Sequence, residues 1–218
     1  MRSPWLDIPL ADYERHMSLP RIGQAQMLAN QFEFLLRQYA PASVAVIGCA
    51  GGNGFDRIAL DTTSRVVGVD INPAYIDETR VRFSGRFRSL ELYSGDIQTI
   101  DVIFEPVELI YAALVFEYVD LPSALARMRS LTTPDGVLGI ILQLPSPTVS
   151  SVTPSPFPSL QLLAPIMRLV SPEKLRTLAE DVGFRLRSSR RIDLCSGKCF
   201  QVQAFRAQAT TSVVEDRS

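Results

Sequence analysis

Several things are scarce in this sequence, and each scarcity removes a class of function. Its 218 residues contain no apolar run approaching the roughly 18 residues of a membrane-spanning helix, so no membrane role is expected. There is one histidine, and Cys49, Cys195 and Cys199 fall in no metal-ligand spacing, so no metal centre is expected. Neither sign of charge dominates: 22 Lys and Arg against 23 Asp and Glu leave a net charge of −1. That balance argues against a general binder of nucleic acid or of an anionic membrane surface. The opening stretch MRSPWLDIPLADYERH has no apolar signal-peptide core, so cytoplasmic residence is the expectation. Internal repeats are absent. Cys195 and Cys199 flank Ser196-Gly197-Lys198 and could face each other across a hairpin, but in a reducing compartment they read as ordinary strand residues.

What remains is ordinary globular composition, 46% hydrophobic and 21% charged, with enough chain for one α/β domain and its core. Between Arg21 and Ala40 the apolar residues Ile22, Ala25, Leu28, Phe32, Leu35 and Tyr39 recur at helical spacing, and Pro41 ends the run. Strand-like runs follow at Val44–Gly48, Arg65–Asp70, Leu90–Ser94, Glu108–Ala113 and Val137–Leu144. Helix starts lie between and after them. Asn72-Pro73, Asp120 with Pro122, and Ser171-Pro172-Glu173 each pair an N-cap with a first-turn proline, and Gly183 stops the last of these helices. The alternation predicts a doubly wound α/β architecture, a mostly parallel sheet with helices on both faces. Phe184–Leu194 and Lys198–Ala207 alternate around Ser196-Gly197 and predict an antiparallel hairpin at the sheet edge.

Residues 1–40 read as an N-terminal helical cap, 41–207 as the α/β domain, and 208–218 as a tail without apolar periodicity, expected to fray. Pro145–Pro165 interrupts the rhythm with a Pro- and Ser-rich stretch. Its Phe157, Leu160, Leu162 and Leu163 predict a lid packed on something, in preference to a free linker.

The chemistry concentrates at Ser43–Gly54, SVAVIGCAGGNG, where an apolar strand runs into a glycine-rich turn with a helix expected after it. Asp70 closes the next strand, 22 residues after Gly48. Small turn residues let a ligand approach backbone amides closely, and a strand-end carboxylate accepts hydrogen bonds from a ribose diol. The pattern therefore points to an adenosine-containing cofactor.

The order VAVIGCAGGNGF, RVVGVDINPAYI, LYSGDI, ELIYAALVFEYVD and GVLGIILQ resembles the motif series of class I S-adenosylmethionine-dependent methyltransferases over Pro41–Leu144, and more loosely over Ser171–Phe184. The resemblance implies a Rossmann-like sheet of seven strands, mostly parallel with the last antiparallel, in agreement with the hairpin read above. It implies S-adenosyl-L-methionine as cofactor and S-adenosyl-L-homocysteine as product. Gly48, Cys49, Ala50 and Gly52 would lie against its methionine part, Asp70 would take the ribose hydroxyls, and Ile71 would pack on adenine. Asp96 and the backbone of Ile97 would receive the adenine amino group, and Ala113 would end its strand beside the sulfonium.

Two positions depart from the family pattern. Val46 stands where an acid commonly organises the methionine end, and Ala50 replaces a frequent glycine, tolerable if its φ stays negative. The fourth strand also lacks both the Asn/Asp-Pro-Pro-aromatic signature of amide and adenine N-methylation and a Pro-Cys nucleophile.

For the acceptor side the candidates are His16 and Tyr13 of the N-terminal segment, with Gln24 behind them, and Glu117. Glu117-Tyr118 stands where many small-molecule methyltransferases carry Glu-His, although a helix-surface acid beside a packed tyrosine is an equal reading. The expected function is methyl transfer to a small-molecule acceptor, in a monomer or homodimer. The alternatives are a protein- or RNA-modifying methyltransferase, a non-catalytic S-adenosylmethionine-binding protein, and an NAD oxidoreductase, which would leave Gly95-Asp96-Ile97 without a cofactor role.

Overall fold

The computed structural model describes residues 2–99 and 103–209. Most of the stretch read as a fraying tail lies outside them. Seven strands form one sheet: β1 Ser43–Ile47, β2 Arg65–Asp70, β3 Ser89–Ser94, β4 Val107–Ala113, β5 Thr132–Leu144, β6 Phe184–Asp193 and β7 Cys199–Ala207. Their order is β3-β2-β1-β4-β5-β7-β6. The first five run parallel, while β7 runs antiparallel to both β5 and β6. This is the expected doubly wound sheet with its C-terminal hairpin at one edge.

Strand β1 is apolar on both faces because both are covered. Ala45 and Ile47 join a core with Leu125, Met128 and Leu175, while Val44 and Val46 join a second core with Phe32, Leu35 and Tyr111. The first core is completed by helices α4 (Leu121–Ser130) and α5 (Pro172–Asp181), the second by α2 (Gln24–Tyr39) and α3 (Pro73–Phe83). Three of these helices start as the sequence predicts. The side chains of Asn72, Asp120 and Ser171 accept hydrogen bonds from the amides of Ala74, Ser123 and Lys174, each with proline in the first turn.

One expected helix is missing. After the glycine-rich turn the chain makes only a 3₁₀ turn, Phe55–Arg57. Ten residues separate Gly54 from Arg65, and the segment runs through Asp61-Thr62-Thr63, which compete for backbone hydrogen bonds and disfavour a helix interior. Phe55 fills the place instead, buried between Phe83 and Phe87 at ring distances of 5.2 and 6.0 Å.

Because β1 connects to β2 on one side while β4 lies on its other side, the sheet reverses winding at the β1/β4 boundary, and the crevice opens at the carboxyl ends of those strands. Two segments roof this crevice. One is the N-terminal segment with α1 (Leu10–Ser18); the other is residues 145–165, which contain the 3₁₀ turn Pro158–Leu163. Ile8, Leu160 and Leu163 form a small third core between them.

Candidate functional site

The glycine-rich turn is tied to the end of β2. The amides of Gly48 and Cys49 both donate to the Val69 carbonyl, at 2.8 and 3.1 Å. Ala50 then adopts φ +48°, so the negative φ expected of an alanine there is not what the turn adopts. A left-handed alanine costs about 1–2 kcal/mol, and specific bonds hold it in place. Its amide donates to Asp70 Oδ2 at 2.8 Å, and its carbonyl accepts from Thr79 Oγ1 at 2.8 Å. Helix α1 lies directly on the turn. A Cβ added at Gly51 would fall 2.6 Å from Glu14 Oε1, 2.7 Å from Arg82 Nη1 and 3.0 Å from Leu10, so a side chain there would displace the Glu14–Arg82 pair.

Asp70 ends β2 at 7% exposure. Its Oδ1 accepts from the Asn72 amide at 2.9 Å while Oδ2 takes Ala50. Burial raises its pKa to about 6, against the lowering pull of these amides. Two amide bonds leave lone pairs on both oxygens for further donors.

A cavity of about 870 Å³ runs along the carboxyl ends of the strands. Gly48, Ala50, Asp70, Ile71, Asp96, Ile97 and Ala113 all line it. Asp96 carries a primary amide already: Gln98 Nε2 donates to both carboxylate oxygens at 2.9 Å, in the way an exocyclic amine would. Cys49 and Gly52 lie behind the turn. The Cys49 side chain is buried in the core beneath Gly68, and Gly52 is packed on the ring of Phe83. Val46, in the family's acidic position, borders a second cavity of about 250 Å³ that shares Gly48, Tyr13 and Ala113 with the first. Tyr13 and its hydrogen-bonding neighbour Asn53 bring polar groups to that end. Burial and the Asp70 charge both push the Tyr13 hydroxyl up, so it stays protonated.

At the other end of the large cavity is a polar cluster in which Gln143 and Lys198 join the expected candidates Glu117 and Gln24. Glu117 is 1% exposed, so the reading of it as a helix-surface acid does not hold. It lies between β4 and α4, where the chain turns inward after Leu114 at φ +58°. Its Oε1 accepts from the Gln143 amide at 2.7 Å, while Oε2 is buried without a partner. Burial raises the pKa of this carboxyl to about 7. Lys198, 3% exposed immediately before β7, donates to Gln143 Oε1 at 3.2 Å and to the Ser151 carbonyl at 2.9 Å. Gln24 Nε2 reaches the same Gln143 oxygen at 3.5 Å. The apolar run of β5 could have marked Gln143 as a polar residue in an apolar strand, and Lys198 stands just before apolar β7; nothing local marks them as partners.

His16 faces the roof. Its Nδ1 lies 2.8 Å from Ser155 Oγ, and burial, with Lys198 and Arg21 nearby, lowers its pKa to about 4. It is therefore neutral at physiological pH and ties α1 to the 145–165 segment. Ser159 Oγ adds a second tie, donating to Asp12 Oδ2 at 2.7 Å. From below, Asn72 Nδ2 donates to the Trp5 carbonyl and Tyr75 OH to the Ile8 carbonyl, both at 2.9 Å. Arg82 clamps Glu14. Trp5 meets Tyr13 and Tyr118 edge-on at 5.8 and 5.2 Å.

The chain is similar in sequence and fold to known proteins. Residues 44–136 match a family described as "Methyltransferase domain". Malonyl-[acyl-carrier protein] O-methyltransferase of Serratia marcescens is 30% identical over 92 residues, which are 42% of this chain and 34% of that protein. The match thus spans about a third of the relative's length. The N-methyltransferase NodS from Bradyrhizobium japonicum WM9, solved with S-adenosyl-L-homocysteine, superposes with TM-score 0.61 at 19% identity, over 93% of this chain and 90% of that one. The [4+2]-cyclase SpnF superposes with TM-score 0.63 at 11% identity, over 83% and 82%. Residues 44–136 are thus similar to a methyltransferase domain, and the sheet order is that of the Rossmann-like methyltransferase fold. No helix among the described residues is long and apolar enough to cross a membrane.

Proposed function

We propose that this protein transfers the methyl group of S-adenosylmethionine to a small-molecule acceptor inside a roofed cavity. The observation that carries the reading is the continuity of that cavity. Asp70 and Asp96, Gly48 and Ala113, and Glu117, whose Oε2 is buried without a partner, all line it. The residues fit the cofactor. Asp70 has lone pairs for a ribose diol, Asp96 already accepts an amide NH₂, and Gly48 is open to the cavity. Tyr13 and Asn53 take over at the methionine end, where Val46 offers no charge.

When bound, the cofactor supplies an electrophilic methyl on a sulfonium. The chain's own part is alignment and exclusion of water. The roof of α1 and residues 145–165 supplies the exclusion. Glu117 Oε2 is the group placed to take a proton from an acceptor hydroxyl or amine, and a pKa near 7 suits a base working at neutral pH. A roofed cavity favours a small acceptor over a folded protein or an RNA. Cytoplasmic residence fits three cysteines that are all free.

The fold alone does not assign methyl transfer, since a cyclase shares it. The test is therefore turnover. Incubation with methyl-labelled S-adenosylmethionine and a panel of small hydroxyl, amine and thiol acceptors should move label to at least one of them. Cofactor binding without label transfer to any acceptor would favour the non-catalytic reading.

A further inference from the structure

Among the described residues, Lys198 is the one cavity-lining cation that is buried, at 3% exposure, and its surroundings do not balance its charge. Both of its named partners, the Gln143 side-chain carbonyl and the Ser151 main-chain carbonyl, are neutral. Among the described residues no carboxylate lies within ion-pair distance of it. Glu117 bonds the same glutamine, but through its backbone amide, and its own free oxygen is not on the lysine. Burying an ammonium without a counter-charge is costly, and it is retained where an anion completes the site. The strand order says which anion. Lys198 immediately precedes β7, beside the end of β5 where Leu144 pairs Cys199, whereas the adenosine carboxylates close or follow β2 and β3. The β1 and β4 strands lie between these two ends. The lysine thus belongs to the acceptor half.

On the reading of this cavity as a methyl-transfer site, we infer that the acceptor is a small carboxylic acid bound as its anion, with the carboxylate held by Lys198 and oriented by Gln143. The anchor is a lysine whose ammonium already has two hydrogen bonds, so one N–H remains for the ligand. The rest of the acceptor would lie against Trp5, Tyr118 and Leu163, which are apolar surfaces of the same chamber. Glu117 takes the Gln143 main-chain amide while Lys198 takes its side-chain carbonyl, so anchoring and proton removal fall to different groups.

The test uses the full-length protein saturated with S-adenosylhomocysteine and three matched probe pairs: benzoate and benzamide, phenylacetate and phenylacetamide, 3-phenylpropionate and 3-phenylpropionamide. Calorimetry should show at least one acid binding about 10-fold or more tighter than its amide. Lys198→Met should abolish that preference while leaving S-adenosylhomocysteine affinity unchanged, and Lys198→Arg should keep part of it. Equal binding within every pair by the wild-type protein, binding of none of the acids, or a preference that survives Lys198→Met would overturn the assignment. So would loss of S-adenosylhomocysteine affinity in a folded Lys198→Met protein, since the lysine would then serve the cofactor. The wild-type comparison stands even if the variant does not fold. Failure of S-adenosylhomocysteine to bind the wild type would instead strike the methyl-transfer reading beneath it.

Discussion

The carboxylate of Asp70 holds the amide of Ala50 at 2.8 Å, so the residue that would bind a ribose also fixes the turn that would surround the methionine. Asp70 and the turn are therefore mechanically one unit. Asp70→Ala should weaken S-adenosylhomocysteine binding by about 10-fold or more, through lost charge-assisted hydrogen bonds. It should also lower stability by about 1–3 kcal/mol, because the buried amides of Ala50 and Asn72 lose their acceptor. Calorimetry and urea unfolding separate the two effects, and unchanged affinity in a folded variant would place the ribose elsewhere.

Ala50→Gly should stabilise the protein. Relief of about 1–2 kcal/mol of left-handed strain outweighs about 0.5–1 kcal/mol of added backbone entropy. A net gain of up to about 1 kcal/mol in urea unfolding is expected. A loss would mean that the alanine methyl contributes packing that exceeds the strain at φ +48°.

Glu117 gives a pH signature. Its carboxyl is raised from 4.5 in an ordinary environment to about 7 in the fold, so between these values the folded state binds the proton and the unfolded state does not. Its contribution to stability is therefore fullest below pH 4.5 and is lost as the pH rises through 7. Glu117→Gln removes that loss, so its stability relative to wild type should improve between pH 5 and pH 8, by up to about 3 kcal/mol. In the same variant, turnover of an acceptor that must lose a proton should fall about 100-fold or more. A flat difference in stability across this range would show that the carboxyl is not shifted.

Trp5 is the only tryptophan and sits in the roof of the cavity. Its fluorescence should change when S-adenosylhomocysteine or an acceptor enters. Asn72→Ala, which removes the 2.9 Å bond to the Trp5 carbonyl, should red-shift the emission of the free protein. An unshifted spectrum would mean that the roof is held by the Tyr75–Ile8 and Arg82–Glu14 contacts alone.

The parallel strands, the three capped helices and the strand-end Asp70 were readable because each rests on local chemistry: apolar runs, cap-plus-proline pairs, a carboxylate after a strand. The missing helix after Gly54 was not. Its short segment is decided by how Phe55 packs between Phe83 and Phe87, which is tertiary information. The positive φ of Ala50 likewise depends on Asp70, 20 residues away. The acceptor half was the least legible. Gln143 and Lys198 are 55 residues apart and meet only because β7 pairs with β5. Glu117 could be named, but its burial could not be read from the residues around it.

The central claim is that the cavity binds S-adenosylmethionine, and one titration tests it most directly. Calorimetry of the purified protein with S-adenosylhomocysteine and, separately, with NAD should give saturable one-site binding of the first and none of the second. NAD binding without S-adenosylhomocysteine binding would contradict the account.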